Sequence, residues 1–172
     1  IWFSEAMLFG GNARVLQQAR EAGLTTSIDL NWDPAWGHAD ARTLGDRRQA
    51  VRDILPWVDL AHGNVRELNT FAESGDLMTS LARLTRWGVE AVVVHLGAKG
   101  AGFYHRGEWT TEPPAPVGRV DQTTGTGDVL SVCMMLLSQR ADLDLRARLR
   151  LANAVVGEFI EGRLVLVPPL GG

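Results

Sequence analysis

The apolar positions of this chain follow two spacings. Short β-branched or aromatic runs, at Ile1-Trp2-Phe3, Thr25–Leu30, Trp57-Val58-Asp59-Leu60 and Glu90–Leu96, predict strands. Between them, apolar residues recur three and four apart and predict helices. Val15, Leu16, Ala19 and Ala22 share one face of a helix over Ala13–Ala22, which Gly23 closes. A second helix runs from Ala39 to Leu55 and stops at Pro56. A third covers Leu77–Trp87, capped by Asp76, with Leu77, Leu81 and Leu84 facing inward and Gly88 at its end. Val92-Val93-Val94 is the strongest strand signal and predicts a central strand buried on both faces. Phe103-Tyr104-His105 and Glu108-Trp109-Thr110 flank Arg106-Gly107, as in an antiparallel hairpin. After the extended segment Pro113–Pro116, the run Val129–Leu137 predicts a buried helix. Leu145–Ile160 predicts another, with Leu145, Leu149, Ala152, Val156 and Phe159 on one stripe and Asn153 just off it. Leu164–Val167 is short and apolar, ahead of two prolines and a glycine end expected to fray.

Strands alternating with helices predict an α/β fold, with a mostly parallel sheet flanked by helices. Residues 1–172 are expected to form a single α/β domain. In such sheets ligands gather outside the carboxyl ends of the strands. Asn31, Asn64, Gly97 and the loop Gly125–Asp128 all fall at those ends.

Composition narrows the partners. The chain is 45% hydrophobic and 22% charged, with net charge −3. That balance suggests neither a nucleic-acid nor an anionic-membrane partner. One cysteine, Cys133, excludes an internal disulfide and a multi-cysteine metal site, and its apolar surroundings suggest an inert thiol. No apolar run reaches membrane-spanning length. Ile1-Trp2-Phe3-Ser4-Glu5 is not a basic leader and has no starting Met, so a cytoplasmic protein is expected, beginning inside a longer chain.

The chemistry concentrates in Asp121-Gln122-Thr123-Thr124-Gly125-Thr126-Gly127-Asp128. A glycine-bearing loop running into a helix offers unpaired N–H groups and the positive end of the dipole. Gly125 and Gly127 leave room for an anion. Asp128 puts a carboxylate where the anion would arrive, which makes sense for a base acting on a hydroxyl that attacks phosphorus. The plainer reading is an ordinary N-cap. Asn64 and Glu67 have the spacing of a capping box, or could face a nucleotide and its metal. Gly97-Ala98-Lys99-Gly100-Ala101-Gly102 lacks the ending of a Walker A loop. It is either a hairpin turn or a close approach to a nucleotide. Asp29-Leu30-Asn31-Trp32-Asp33-Pro34-Ala35-Trp36-Gly37 is a loop with Asx turns and packed tryptophans, or a ligand edge.

In this order the motifs resemble the ribokinase-like, or PfkB, family of carbohydrate kinases, over nearly the whole chain. Thr123-Thr124-Gly125-Thr126-Gly127-Asp128 is similar to the family's Asp-Thr-Thr-Gly-Ala-Gly-Asp signature. Asn64-x-x-Glu67 resembles its Asn-x-x-Glu motif, Leu96-Gly97-Ala98-Lys99-Gly100 its nucleotide loop, and Asp29-Leu30-Asn31 its Asp-x-Asn strand end. Asn153 resembles the adenine-side position of its last large helix. Several positions depart from the pattern. Gln122 stands for the signature's first Asp, Asp33 for an Arg, His95 for a Thr, and Val129-Leu130 for Ala-Phe. The region of Gln122 helps hold a monovalent cation in the family, so that site is left open. The family's N-terminal part, with most sugar contacts and the β lid, has no counterpart here.

The resemblance implies an ATP- and Mg2+-dependent sugar kinase that transfers the γ-phosphoryl group to a hydroxymethyl group. Asp128 would be the base, and Gly125, Thr126 and Gly127 the anion hole. Asn64 and Glu67 would organise Mg2+, mainly through water. Asn64, Gly97, Lys99, Gly100 and Asn153 would contact the nucleotide, and Asn31 the sugar. The partners implied are a nucleotide and a small sugar, with a homodimer through the lid. The chain would be the nucleotide-binding and catalytic-base portion of a longer kinase. Two alternatives remain at this level: a non-catalytic nucleotide-binding or interaction protein, and a nucleoside kinase.

Overall fold

A computed structural model of the chain describes residues 1–2 and 4–164. Two compact units form. One comprises Ile1–Val94 with Phe103–Trp109, the other His95–Gly102 with residues 110–164, among the described residues.

The first unit contains β1 (Ser27–Asp29), β2 (Leu60–Asn64), β3 (Ala91–His95) as far as Val94, and the turn side of the hairpin of β4 (Ala101–His105) and β5 (Glu108–Glu112). The strands lie in chain order in one five-stranded sheet. β1 and β2 run parallel, with Ser27 opposite Leu60 and Asp29 opposite His62. The expected α/β class, with a mixed and mostly parallel sheet and flanking helices, holds. The helices of this unit are α1 (Asn12–Glu21), α2 (Ala41–Arg52), α3 (Val65–Phe71) and α4 (Leu77–Arg86). Val92, Val93 and Val94 are fully buried, as a strand covered on both faces requires, and Leu68, Leu81 and Leu84 from α3 and α4 are buried too. Side chains of this size contribute about 1.5–3 kcal/mol each when buried. Asp40 and Asp76 cap α2 and α4 by accepting from Thr43 and Thr79. Arg106 and Gly107, at φ 51° and 86°, make the two-residue turn between β4 and β5 that suits right-twisted strands.

Two expectations for this unit need correction. The strand placed at Trp57–Leu60 begins only at Leu60, because Pro56 sits in a 3-10 turn over Leu55–Trp57. A proline fixes φ and offers no N–H to a ladder. Ile1 and Trp2 form no strand, and Phe3 lies outside the described residues. Trp2 is buried instead, and its indole donates to the Leu30 carbonyl. Helix α1 forms where its periodicity predicts but buries no residue, and Val15 stays 55% exposed.

The second unit packs α5 (Thr126–Ser138) against α6 (Leu145–Ile160). Helix α6 has the bounds read from its pattern, with Asp144 capping it through the Ala147 amide. Helix α5 is less buried than its composition predicts. Leu130 and Met134 are covered, while Val132 and Leu136 are more than half exposed. An apolar helix buries only the faces that neighbours cover. The carboxylate of Glu161, just past α6, accepts from the Gly118 and Arg119 amides at 2.7 and 3.2 Å. The Ile160 carbonyl accepts from Asp121 and Gln122. These bonds tie the approach to α5 onto the end of α6. The run read over Leu164–Val167 lies, beyond Leu164, outside the described residues.

Candidate functional site

In the first unit, three predicted residues stand at the carboxyl ends of β1 and β2. Asn64 closes β2 and caps α3. Its side-chain carbonyl accepts from the Glu67 amide at 3.0 Å, and Glu67 accepts in return from the Asn64 amide at 2.8 Å. The capping box is therefore formed. It uses one oxygen of Glu67. Burial pushes the Glu67 carboxyl above the ordinary carboxylate range, and the nearby charge of Asp29 adds to that, against the bonds from Asn64. Asn31 follows β1 in a left-handed conformation, φ 50°, with its amide donating to Asp29 at 3.1 Å. Its side chain is exposed. The loop beyond is held by Asp33, fully buried, which takes a two-bond contact from Arg47 at 2.9 and 3.0 Å. Burial of that carboxylate is affordable only because the guanidinium pairs with it.

In the second unit, Gly125 opens α5 at φ 90° with no side-chain cap. That departs from the plain N-cap reading. A left-handed residue at this corner suits glycine. The Thr126 amide bonds to Thr123. The amides of Gly127 and Asp128 find no acceptor among the described residues. The Asp128 carboxylate is exposed and likewise has no hydrogen-bond or ion-pair partner among them. The start of α5 thus combines open donors with an uncommitted acid.

A cleft adjoins this loop. Gly97, Gly100, Thr126, Gly127 and Asn153 line it together with His95. Five of the predicted residues are thereby brought together. Lys99 lies on the same 3-10 turn, Gly97–Lys99, but is exposed and does not line the cleft. Gly100 is required sterically. At φ 90°, a Cβ there would stand 2.2 Å from the Glu112 carbonyl oxygen. Asn153 is 5% exposed, and its amide donates to the carbonyls of Glu112 and Pro113 at 3.1 and 2.8 Å. These bonds hold the Glu112–Pro113 segment against α6. Glu112 is itself buried and paired with Arg146 at 2.9 Å.

His95 belongs to the cleft although it was read only as a departure from the family pattern. Its Nε2 shares a 3.2 Å hydrogen bond with the Ser131 hydroxyl, and its Nδ1 stands 2.9 Å from where a Cβ at Gly127 would lie. Gly157 was also missed. A Cβ there would meet Ala115 at 3.3 Å, and a glycine inside a long helical pattern was the available signal. Gln122 turns its amide to donate to the Phe159 carbonyl at 3.1 Å. Cys133 is half-buried and burial raises its thiol, in keeping with an inert group.

Solved structures share this architecture. An Arabidopsis thaliana ribokinase complexed with ribose and ATP superposes with TM-score 0.69 at 21% identity, over 87% of this chain and 46% of its own. An aminoimidazole riboside kinase from Salmonella enterica, complexed with aminoimidazole riboside and an ATP analogue, gives 0.72 at 21%, over 87% and 50%. A ribokinase-type structure from E. coli with ATP and Mg2+ gives 0.74 at 20%, over 93% and 49%. The fold is thus ribokinase-like. In sequence, the chain is 30% identical over 159 residues to a 2-dehydro-3-deoxygalactonokinase of Haloferax volcanii, covering 90% of this chain and 48% of that protein. Residues 11–161 match the pfkB family carbohydrate kinase model, and the chain belongs to that family. It spans about half the length of the relatives it matches.

Proposed function

We propose that this chain supplies the nucleotide-binding and catalytic-base portion of an ATP-dependent carbohydrate kinase, one that phosphorylates a hydroxymethyl group of its acceptor. The observation that carries the reading is the start of α5, where an uncommitted Asp128 carboxylate stands beside the open amides of Gly127 and Asp128. Phosphoryl transfer asks a protein mainly for positioning, charge stabilisation and a group that accepts the acceptor's proton. Asp128 takes that proton as the hydroxyl oxygen attacks the γ-phosphorus. Gly125, Thr126 and Gly127 shape the anion hole, and the open amides stabilise the negative oxygens of the transferred group. Gly97 and Gly100 bring backbone close to the adenosine, Asn153 holds that wall, and Lys99 adds a positive charge on the same turn.

Mg2+, when bound, neutralises charge on the phosphates. Glu67 and Asn64 are the side chains here that would hold it, mainly through water, and the second oxygen of Glu67 is uncommitted among the described residues. The donor set of one carboxylate, one amide and water suits this ion. Asn31, exposed at the end of β1, is assigned to the acceptor.

The test is Asp128→Asn in the full-length protein, assayed for ADP formation with ATP and a panel of sugars and sugar acids. Loss of roughly 10²–10⁴-fold in kcat is expected, with ATP affinity retained by calorimetry. An unchanged kcat would show that Asp128 is not the base.

A further inference from the structure

The first unit holds a cationic group that the proposed reaction does not use. Arg66, the second residue of α3, is exposed. Its guanidinium lies 4.4 Å from the ring centroid of Trp32. No carboxylate among the described residues pairs with it. Among the described residues four other arginines of the same unit form ion pairs, while Arg14, Arg42, Arg86 and Arg106, like Arg66, form none. Arg20 pairs with Asp59, Arg47 with Asp33 and Glu5, and Arg48 and Arg52 with Glu73. Arg52 makes the informative contrast. It too stacks on a tryptophan, Trp87 at 4.2 Å, but its charge is also spent on Glu73. Arg66 cannot turn to its neighbour Glu67, because adjacent helix residues point in different directions.

The platform under Arg66 is rigid. Trp32 packs edge-on against Trp36 at 4.4 Å between centroids, and Trp36 against the buried Trp2 at 5.9 Å. Trp32 itself stays 37% exposed. Its loop is pinned from beneath by Asp33, which accepts from Arg47 and from the Ala35 amide at 2.9 Å. A guanidinium stacked on a fixed aromatic face has lost much of its rotamer freedom before any ligand arrives. The site also lies where ligands gather in such sheets. Trp32 follows β1 and Arg66 follows β2, two parallel neighbours, beyond their carboxyl ends.

We propose that Arg66, braced on Trp32, is an anion-binding arm that takes the charged oxygens of a small ligand at this sheet edge. The chemistry is a carboxylate or phosphate accepting paired N–H bonds from a guanidinium. In this chain the source is either the carboxylate of a sugar-acid acceptor or a phosphate of the nucleotide. The sugar-acid assignment rests on the kinase reading above, and it makes acidic sugars the acceptor class.

Calorimetry on the full-length protein separates the sources, using D-galactonate, D-galactose and ATP as probes. Arg66→Gln is expected to weaken binding of one anionic probe roughly tenfold or more, leaving D-galactose unchanged. Arg66→Lys restores part of the loss, since it keeps charge but not the planar fork. Trp32→Phe gives a smaller loss by weakening the brace. Loss confined to D-galactonate assigns the carboxylate, and loss confined to ATP assigns the phosphate. The proposal is overturned if Arg66→Gln changes neither anion, if D-galactose weakens equally, or if the wild-type protein binds neither anion. Binding is read without turnover, so an active Asp128→Asn variant would sink the proposed base and leave this result standing.

Discussion

Replacing Glu67 with Gln should stabilise the protein above neutral pH while impairing phosphoryl transfer. Glu67 is half-buried, accepts the Asn64 amide at 2.8 Å, and lies near the charge of Asp29. Burial raises its folded-state pKa above the ordinary carboxylate range, despite the lowering effect of the Asn64 bonds. The sign follows from linkage. A raised carboxyl pKa favours the folded state while the group is protonated. That contribution is complete below the unfolded value and is lost as pH rises through the folded value. At pH 7 the ionised carboxylate is therefore a net burden. Gln keeps the shape and an oxygen for the Asn64 amide, so the capping box survives. Exchanging a charged for a neutral acceptor weakens that bond by about 1 kcal/mol. Relief from burying the charge outweighs this, because burial is the larger influence on the group. The net gain should lie within about 1 kcal/mol at pH 8 and shrink or reverse at pH 4. Glu67→Ala loses the reciprocal bond and should cost about 1 kcal/mol. Urea unfolding of the three proteins at pH 4, 6 and 8 measures these differences. A Gln variant less stable than wild type at pH 8, by an amount that grows with pH, would refute the reasoning. Its kinase activity should fall, since the charge that burdens the fold is the one assigned to Mg2+. Groups kept at a cost to stability are common at functional sites.

Other substitutions test the scaffold. Gly100→Ala forces a Cβ against the Glu112 carbonyl at a φ unsuited to L residues, and should destabilise by roughly 3 kcal/mol or more in thermal melts. Asn153→Ala removes the donor to the buried Glu112 carbonyl and to the Pro113 carbonyl. A loss of about 1–3 kcal/mol is expected, with weakened ATP binding by calorimetry. Arg47→Met strands the buried Asp33 carboxylate and should cost about 3–5 kcal/mol. Arg47→Met with Asp33→Asn should recover part of that, and no recovery would mean that Arg47 acts through packing alone.

Local chemistry was legible from residue order wherever the cause was itself local. The Asn64–Glu67 capping box needs only residues three apart, and it forms. The bounds of α6 follow from Asp144 and an uninterrupted periodicity. The Arg106-Gly107 turn is set by its two residues. The family, too, could be read from the order of its motifs. Contacts between distant segments were not legible. The apolarity of Val129–Leu137 predicts burial, yet Val132 and Leu136 are exposed, because burial depends on which neighbours arrive. Pattern places Asn153 just off the apolar stripe of α6, whereas the fold closes it against carbonyls 40 and 41 positions away. His95 acquired a role only when the chain brought Ser131 and Gly127 beside it. Arg66 carries no signal in the spacing between Asn64 and Glu67, and only the fold puts Trp32 beneath it. Spacing along the chain determines capping, turning and helical periodicity, which act within a few residues. Which side chains share a cleft, and which charges stay uncommitted, depends on long-range packing that only the tertiary structure decides.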